Sequence, residues 1–213
     1  MIKGIIFDLD GVIVSTDNYQ YLAWKTMADK EGIPFDRERN NLLRGVSRRA
    51  SLDIILEKAT RTYTEEEKEE LMRQKNEMYV SSLKDHLSPK DILPGFMDFL
   101  KLLRENGIKT AVGSSSKNTA LILNQIELYD AFDAIADGTE IVHSKPDPEV
   151  FLLAAKKLSL NPNDCAVIED AIAGIEAAKK GGMLAIGIKD AKNTPLSDIK
   201  SDSFEDIAKK LGL

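Results

Sequence analysis

Two aspartates separated by one residue follow a short apolar run at the start of the chain. Asp8 and Asp10 come directly after Ile2 to Phe7, and Gly11 stands behind them. A carboxylate can act as a nucleophile toward phosphorus, and a second carboxyl group nearby can move a proton. The same spacing also occurs in turns and helix caps, so this segment alone is compatible with either a catalytic or a structural role.

Three later segments add side chains suited to a phosphate site, and each follows an apolar run or lies in a stiff loop. A serine hydroxyl donates a hydrogen bond, a lysine between prolines offers a held cation, and two adjacent carboxylates can bind a metal ion. The recurrence in four separate segments favours phosphoryl-transfer chemistry. The added residues are Ser114 with its neighbours Ser115 and Ser116, Lys145 in Ser144-Lys145-Pro146-Asp147-Pro148, and the pair Glu169-Asp170.

The carboxylates of these segments would repel one another strongly if they came together without a cation between them. All of the candidate ligands are hard oxygens, and no Cys or His accompanies them. Mg²⁺ prefers such ligands and shares its coordination with substrate phosphates. We therefore expect one Mg²⁺ ion, held by Asp8, Asp10, Glu169 and Asp170.

Short apolar runs alternate with helical patterns along most of the chain, and this alternation predicts an α/β fold with a doubly wound, Rossmann-like parallel sheet. In such sheets the carboxyl ends of the strands meet at one edge, where ligands bind. The four segments that carry the candidate catalytic residues, at Asp8, Ser114, Lys145 and Glu169, all come at or near the ends of predicted strands. The predicted strands are Ile2 to Phe7, Ile108 to Val112, Ala134 to Ala136, Ala166 to Ile168 and Leu184 to Ile188.

Residues from about Thr16 to Leu87 interrupt this alternation with three or four helical patterns and no convincing strand. Thr64 to Glu67 has the pattern of a capping box at the start of one of these helices. We therefore predict a core domain of residues 1–15 plus 88–213 and a helical cap domain of residues 16–87. The cap would lie over the carboxyl ends of the strands.

The composition limits the classes of partner. The 213 residues carry a net charge of −6, and the basic residues are dispersed, which argues against nucleic acid. The first apolar run is too short for a signal peptide or a membrane span, so we expect a cytoplasmic protein with no membrane contact. We also expect a monomer. We assign no chemistry to the single cysteine, Cys165, and structural roles to the two histidines, His86 and His143.

Taken together, the four segments resemble the four motifs of the haloacid dehalogenase superfamily of phosphotransferases, in order and in spacing. The resemblance implies that Asp8 becomes an aspartyl phosphate and that Asp10 is the general acid and base. It also implies magnesium binding by the Asp8 side chain, the Asp10 backbone carbonyl and Asp170, with Glu169 in or next to the coordination shell. Ser114 and Lys145 would hold the transferring phosphoryl group.

The helical segment resembles the cap of the β-phosphoglucomutase family, which interconverts β-D-glucose 1-phosphate and D-glucose 6-phosphate through a glucose 1,6-bisphosphate intermediate. The matching residues are Tyr19, Ala23-Trp24-Lys25, Arg44-Gly45-Val46-Ser47-Arg48, Ser51-Leu52, Lys75-Asn76 and Tyr79 in the cap, and Ser116-Lys117-Asn118 in the core. The resemblance implies a small phosphorylated sugar as substrate. It implies binding residues at Thr16, Gln20, Trp24, Arg44, Gly45, Val46, Arg48, Ser51, Lys75, Ser114, Ser115, Ser116, Lys117, Asn118 and Lys145.

A mutase must also hold a second phosphate group away from the reacting one, and Arg48 is our candidate because its planar fork of donors fits phosphate oxygens. Two positions depart from the family: Gln20 stands where it has His, and Ser15 stands where it usually has Asp. Gln donates hydrogen bonds but does not titrate. The family's His at this position supports the general acid, so the departure implies a change in how Asp10 is positioned for proton transfer.

Three alternatives remain open from the sequence. The nearest is a sugar-phosphate phosphatase of the same superfamily, in which water takes the phosphoryl group from Asp8. A signalling receiver domain shares the acidic cluster, but it takes its phosphorylated Asp from a later strand and has no helical cap. A silent binding protein would have no reason to keep all four motifs.

Overall fold

A six-stranded parallel sheet forms the centre of the computed structural model, which describes residues 2–44 and 46–213. The strands are β1 Gly4–Phe7, β2 Lys109–Gly113, β3 Ala134–Ala136, β4 Cys165–Glu169, β5 Leu184–Gly187 and β6 Ile199–Lys200. Their order is β3-β2-β1-β4-β5-β6, and every adjacent pair is parallel. The predicted doubly wound α/β class is confirmed.

Nine α-helices are described, and the last five along the chain cover the two faces of the sheet. They are α1 Asp17–Lys30, α2 Arg37–Asn41, α3 Arg48–Leu56, α4 Glu65–His86, α5 Phe96–Glu105, α6 Thr119–Gln125, α7 Glu149–Lys157, α8 Ile172–Lys180 and α9 Phe204–Leu211. Phe7 packs with Phe96 and Phe99 of α5 on one face, whereas Ile6 packs with Phe151 of α7 on the other. Successive residues of a strand point to opposite faces, so β1 is buried on both.

The end of the sheet at β6 was not predicted from the sequence. This strand has only two residues, of which Ile199 is half-buried and Lys200 is exposed. Two residues are too few to show the alternation of apolar and polar positions that marks a strand. Only pairing with β5 identifies it.

Helices α1 to α4, from Asp17 to His86, form a helical segment inserted after β1, and this segment has an apolar cluster of its own. Trp24, Leu52 and Leu71 belong to that cluster. Helix α4 begins with the expected capping box, since Thr64 and Glu67 each accept a hydrogen bond from the other's backbone. Where the chain leaves and returns to the sheet, Val14 forms a β-bridge with Ile92.

Among the described residues, no helix combines the length and the apolar character needed to cross a lipid bilayer.

Candidate active site

The register of the three central strands brings the predicted catalytic segments to one edge of the sheet. Phe7 lies opposite Val112 of β2 and Ile168 of β4. Asp8, which directly follows β1, and Glu169, the last residue of β4, are therefore neighbours at this edge. Because parallel strands end at the same edge, the sheet assembles the site from segments more than a hundred residues apart.

Lys145 lies between two of these carboxylates. Its Nζ atom donates to Asp8 Oδ1 at 2.5 Å and to Glu169 Oε1 at 2.6 Å, and its side chain is 2% exposed. Burial alone would lower the pKa of Lys145, but Asp8 and Glu169 outweigh it and hold that pKa above its ordinary value. Lys145 is therefore a cation, and it is fixed beside the predicted nucleophile.

Asp8, Glu169 and Asp170 form a cluster in which one oxygen of each residue lies within 4.8 Å of the others. Burial, and then the nearby carboxylates, raise the pKa of Asp170; burial likewise raises the pKa of Glu169. Gly11 makes room for this cluster, because its φ is 84° and a Cβ there would lie 2.0 Å from Asp170 Oδ2. Crowded hard-oxygen donors fit a divalent cation such as Mg²⁺.

The Asp10 side chain points to Thr16 at the start of the helical segment. Its Oδ1 accepts from the Thr16 amide at 2.8 Å, and its Oδ2 accepts from the Thr16 hydroxyl at 2.7 Å. Burial raises the pKa of Asp10 to about 6, although both hydrogen bonds from Thr16 act in the opposite direction. A carboxyl group with such a pKa can both donate and accept a proton near neutral pH.

The serine loop after β2 is ordered by its own hydrogen bonds. Ser114 Oγ accepts from the Ser116 amide at 3.2 Å, which leaves its hydroxyl proton free to donate. The Ser114 amide is bonded to the Ala136 carbonyl at 3.1 Å, so only the hydroxyl of this residue remains for a phosphate group. Ser115 Oγ is buried and has no hydrogen-bond partner among the described residues.

Asn76 connects the helical segment with the serine loop. Its Oδ1 accepts from Arg48 Nη2 at 2.7 Å and from Asn118 Nδ2 at 2.9 Å. Asn76 was part of the family resemblance but not of the predicted binding set. The structure thus brings Arg48 of α3 and Asn118 of the core to the same atom.

Lys75 is the most buried cation of the helical segment, with 3% exposure. Its ammonium group donates to Gln20 Oε1 and lies 4.6 Å from the ring centres of both Trp24 and Tyr79. Burial, and then the charge of Arg48, lower the pKa of Lys75. In the part of the chain that the structure describes, neither Lys75 nor Arg48 forms an ion pair with a carboxylate.

A cavity of about 730 Å³ lies between the sheet edge and the helical segment, a size that accommodates a small phosphorylated ligand. Thr16 does not line it, since that residue is fully buried against Asp10, and Gly45 lies outside the described residues. The predicted residues that do line it are Asp8, Asp10, Gln20, Trp24, Arg44, Val46, Arg48, Ser51, Lys75, Ser114, Ser115, Ser116, Lys117, Asn118, Lys145, Glu169 and Asp170.

Arg44 is engaged differently from the other predicted binding residues. Its Nη1 donates to Asp190 Oδ2 at 3.0 Å, and its Nη2 lies 3.6 Å from Asp17 Oδ2. Asp190 belongs to the segment that follows β5, so Arg44 ties the helical segment to the core at the cavity. Asp190 and the adjacent Lys189 were not predicted, although both follow a strand at the same edge of the sheet as the four segments that carry the candidate catalytic residues.

His143 has carboxylate neighbours that its sequence spacing did not reveal. Its Nδ1 lies 3.1 Å from Glu149 Oε2, and the ligand atoms of His143, Asp147 and Glu149 lie within 4.8 Å of one another. The Glu149 carboxylate also accepts from the amides of Val142 and His143 at 3.0 and 2.7 Å. Glu149 therefore fixes the backbone just before Lys145.

A parallel sheet with an acidic cluster, a serine and a buried lysine at its carboxyl edge is the arrangement of the aspartate-based phosphotransferases. A sequence model of the haloacid dehalogenase-like hydrolases matches residues 2–182. The chain belongs to this family, as its four motifs had implied. The membership excludes the receiver-domain alternative.

Within the family, the chain is a homologue of β-phosphoglucomutases. It is 48% identical to the β-phosphoglucomutase of Bacillus subtilis over 188 residues, which cover 87% of this chain and 83% of that protein. A crystal structure of β-phosphoglucomutase from Clostridium difficile superimposes with a TM-score of 0.91 at 41% identity, covering 100% of this chain and 98% of that one. A fructose-1-phosphate phosphatase of Escherichia coli is 30% identical over 187 residues, 87% of this chain and 96% of that protein.

Proposed function

We propose that this chain is a β-phosphoglucomutase that interconverts β-D-glucose 1-phosphate and D-glucose 6-phosphate through an aspartyl phosphate on Asp8 and a glucose 1,6-bisphosphate intermediate. The observation that carries the proposal is the presence of two cationic groups on opposite sides of one cavity. Lys145 stands beside Asp8, and Arg48 faces the cavity from the helical segment without a carboxylate partner among the described residues. A sugar with two phosphate groups needs both.

In this mechanism, a carboxylate oxygen of Asp8 attacks the phosphorus atom at C1 of bound glucose 1,6-bisphosphate. The bond from that phosphorus to the C1 oxygen breaks, which leaves glucose 6-phosphate. Asp10 gives its proton to the departing C1 oxygen. The phosphoryl group of Asp8 is then transferred to the 6-hydroxyl of β-D-glucose 1-phosphate, and Asp10 takes the proton of that hydroxyl, so that glucose 1,6-bisphosphate forms again. The Lys145 cation and the Ser114 hydroxyl stabilise the negative charge on the transferring group. The two half-reactions together leave Asp8 free again.

The residues present fit a magnesium ion, which Asp8, Glu169, Asp170 and the backbone carbonyl of Asp10 would hold. The fit rests on the three crowded, partly desolvated carboxylates and on the absence of nitrogen or sulfur donors from that cluster. When bound, the ion would neutralise charge on the reacting phosphate. We further propose the division into a core of residues 1–15 plus 88–213 and a cap of residues 16–87, with the enzyme acting as a cytoplasmic monomer.

One assay separates the mutase from the rival phosphatase. The protein is given β-D-glucose 1-phosphate with Mg²⁺ and a trace of glucose 1,6-bisphosphate, and glucose 6-phosphate and inorganic phosphate are measured separately. Formation of glucose 6-phosphate supports the mutase. Release of inorganic phosphate alone would contradict the mutase proposal. It would instead support a sugar-phosphate phosphatase, an activity found in a relative that is 30% identical.

Replacing Arg48 by alanine is expected to weaken binding of the second phosphate group. A charge-assisted hydrogen bond contributes about 1.5–3 kcal/mol, so KM for β-D-glucose 1-phosphate should rise on the order of tenfold to a hundredfold. Phosphorylation of Asp8 by acetyl phosphate, which has no second phosphate, should not change. The measurement is the KM for the sugar phosphate beside the rate of labelling by acetyl phosphate.

Arg49 provides a matched control, because it is the next residue of α3 and its guanidinium is already paired with Asp53 and Glu65. Arg49→Ala should leave KM unchanged. If both variants raised KM equally, the general positive charge of α3, and not the Arg48 side chain, would account for binding.

Replacing Gln20 by histidine is expected to raise the mutase rate severalfold. Gln20 accepts a hydrogen bond from Lys75 but cannot take up or release a proton, whereas His can do both near neutral pH. The comparison is kcat for the formation of glucose 6-phosphate. The control is Gln74→His, because Gln74 is bonded to Glu70 and does not line the cavity. An unchanged or lower rate in Gln20→His would count against this account.

A further inference from the structure

A buried hydroxyl group on helix α4 reaches Asp10 through one intervening residue. Tyr79 is 1% exposed, and its hydroxyl donates to Thr16 Oγ1 at 2.9 Å. The Thr16 hydroxyl in turn donates to Asp10 Oδ2 at 2.7 Å. The three side chains form one continuous chain of hydrogen bonds from α4 to the loop after β1.

The direction of this chain follows from the protons available. A threonine hydroxyl has one proton and two lone pairs. Because Tyr79 donates to a lone pair of Thr16, the single Thr16 proton is directed to Asp10. Burial, and then the charge of Asp10, raise the pKa of Tyr79, so its hydroxyl keeps the proton that it donates.

We propose that Tyr79 is a positioning residue for proton transfer, which orients the Thr16 hydroxyl and through it the Asp10 carboxyl group. The proposal rests on the proposed function, in which Asp10 is the acid and base. Tyr79 lies on α4 of the helical segment and Asp10 lies at the sheet edge. The placement of Asp10 therefore depends on how that segment is seated over the sheet.

Two phosphoryl donors separate this role from a general structural one. A sugar oxygen leaves phosphorus as a strong base and needs a proton from Asp10, whereas acetate leaves acetyl phosphate without one. A defect in the positioning of Asp10 should therefore slow transfer involving the sugar but not the labelling of Asp8 by acetyl phosphate. Damage to the fold or to the phosphate site would slow both.

The test variant is Tyr79→Phe, which removes the hydroxyl and keeps the ring beneath the Lys75 ammonium group. With Mg²⁺ present, kcat from β-D-glucose 1-phosphate should fall by about tenfold, the effect of one lost hydrogen bond, while KM is unchanged. Labelling of Asp8 by acetyl phosphate, followed by intact-protein mass spectrometry, should keep its rate. The control is Tyr63→Phe, which removes a hydroxyl donating to Glu31 at 2.9 Å elsewhere in the helical segment and should change neither rate.

The role of Thr16 as intermediary is tested by a double mutant. If Tyr79 acts through Thr16, adding Tyr79→Phe to Thr16→Val should cause no further loss of kcat. A full additional loss, an equal fall with both phosphoryl donors, or no fall at all would overturn the proposal. If the unaltered protein releases only inorganic phosphate, the mutase function fails, and the same comparison on phosphate release from β-D-glucose 1-phosphate decides the role of Tyr79.

Discussion

Replacing Asp8 by asparagine is expected to abolish turnover. An amide cannot form an acyl phosphate, so the loss should be on the order of 10⁴-fold or more, as for other covalent nucleophiles. The fold should persist, because asparagine has nearly the same shape and its amide oxygen can still accept from Lys145. The measurements are mutase turnover, labelling by acetyl phosphate and the thermal unfolding midpoint.

Labelling by acetyl phosphate tests directly whether Asp8 is the residue that accepts the phosphoryl group. In the unaltered protein, acetyl phosphate should add one phosphoryl group, and the modified residue should be Asp8; in Asp8→Asn no group should be added. The control is Asp164→Asn, because Asp164 is paired with Lys3 at the surface and does not line the cavity. This variant should gain one phosphoryl group on Asp8, as the unaltered protein does. If Asp8→Asn still gained a phosphoryl group, a residue other than Asp8 would be the nucleophile.

Replacing Lys145 by methionine is expected to impair both catalysis and stability. The loss of a buried cation beside the transferring group should lower kcat by about 10²–10³-fold. When the Lys145 ammonium group is removed, Asp8 and Glu169 stay buried but have lost their cation. Removing one partner of a buried ion pair lowers the free energy of unfolding by about 3–5 kcal/mol. Urea unfolding in EDTA should show a loss near the lower end of that range, since burial already raises the pKa of Glu169 and a proton can replace the cation.

The pH dependence of this contribution has a definite sign. The pKa of Lys145 is raised in the folded protein, so the stabilisation is fully present below the unfolded pKa of lysine and disappears as the pH rises through the folded one. The difference between the two proteins should grow as the pH rises through the neutral range, because Lys145→Met then loses the proton that replaces the cation at Glu169, and it should shrink only in strong alkali, where Lys145 of the unaltered protein loses its own proton. Addition of Mg²⁺ should restore part of the stability of Lys145→Met, because the ion would neutralise the same carboxylates.

A surface lysine supplies the comparison for Lys145. Lys179 pairs with Asp198 at 2.7 Å, but both side chains are about one-third exposed. Exposed ion pairs contribute about 0–1 kcal/mol, so Lys179→Met should unfold almost as the unaltered protein does and keep its activity. Equal destabilisation by the two substitutions would contradict the burial argument.

The sequence was sufficient for the fold class and for the position of the catalytic segments in the chain, because both are local features. Strand β1 is a run of apolar residues, and the loop after it begins at once with Asp8. Such runs are uniform because both faces of a central parallel strand are buried. The short edge strand β6 escaped prediction for the opposite reason, since its two residues have different environments.

Contacts between distant segments could not be obtained in this way. The family resemblance put Arg44 among the sugar-binding residues, but its guanidinium group is paired with Asp17 and Asp190. Asn76 was noted only as part of the family resemblance, yet its side-chain oxygen accepts hydrogen bonds from both Arg48 and Asn118. These pairings depend on where the helical segment lies over the sheet.

The sequence by itself determined the donor chemistry of this protein: hard carboxylate oxygens, a serine hydroxyl and a lysine, each placed after its own apolar run. Only the tertiary structure decided which of these atoms meet, with Lys145 between Asp8 and Glu169 and Tyr79 reaching Asp10 through Thr16. The physical reason is that residue type and local periodicity are properties of neighbouring residues. A hydrogen bond between residues 63 or 137 positions apart depends instead on strand register and on helix packing across the whole molecule.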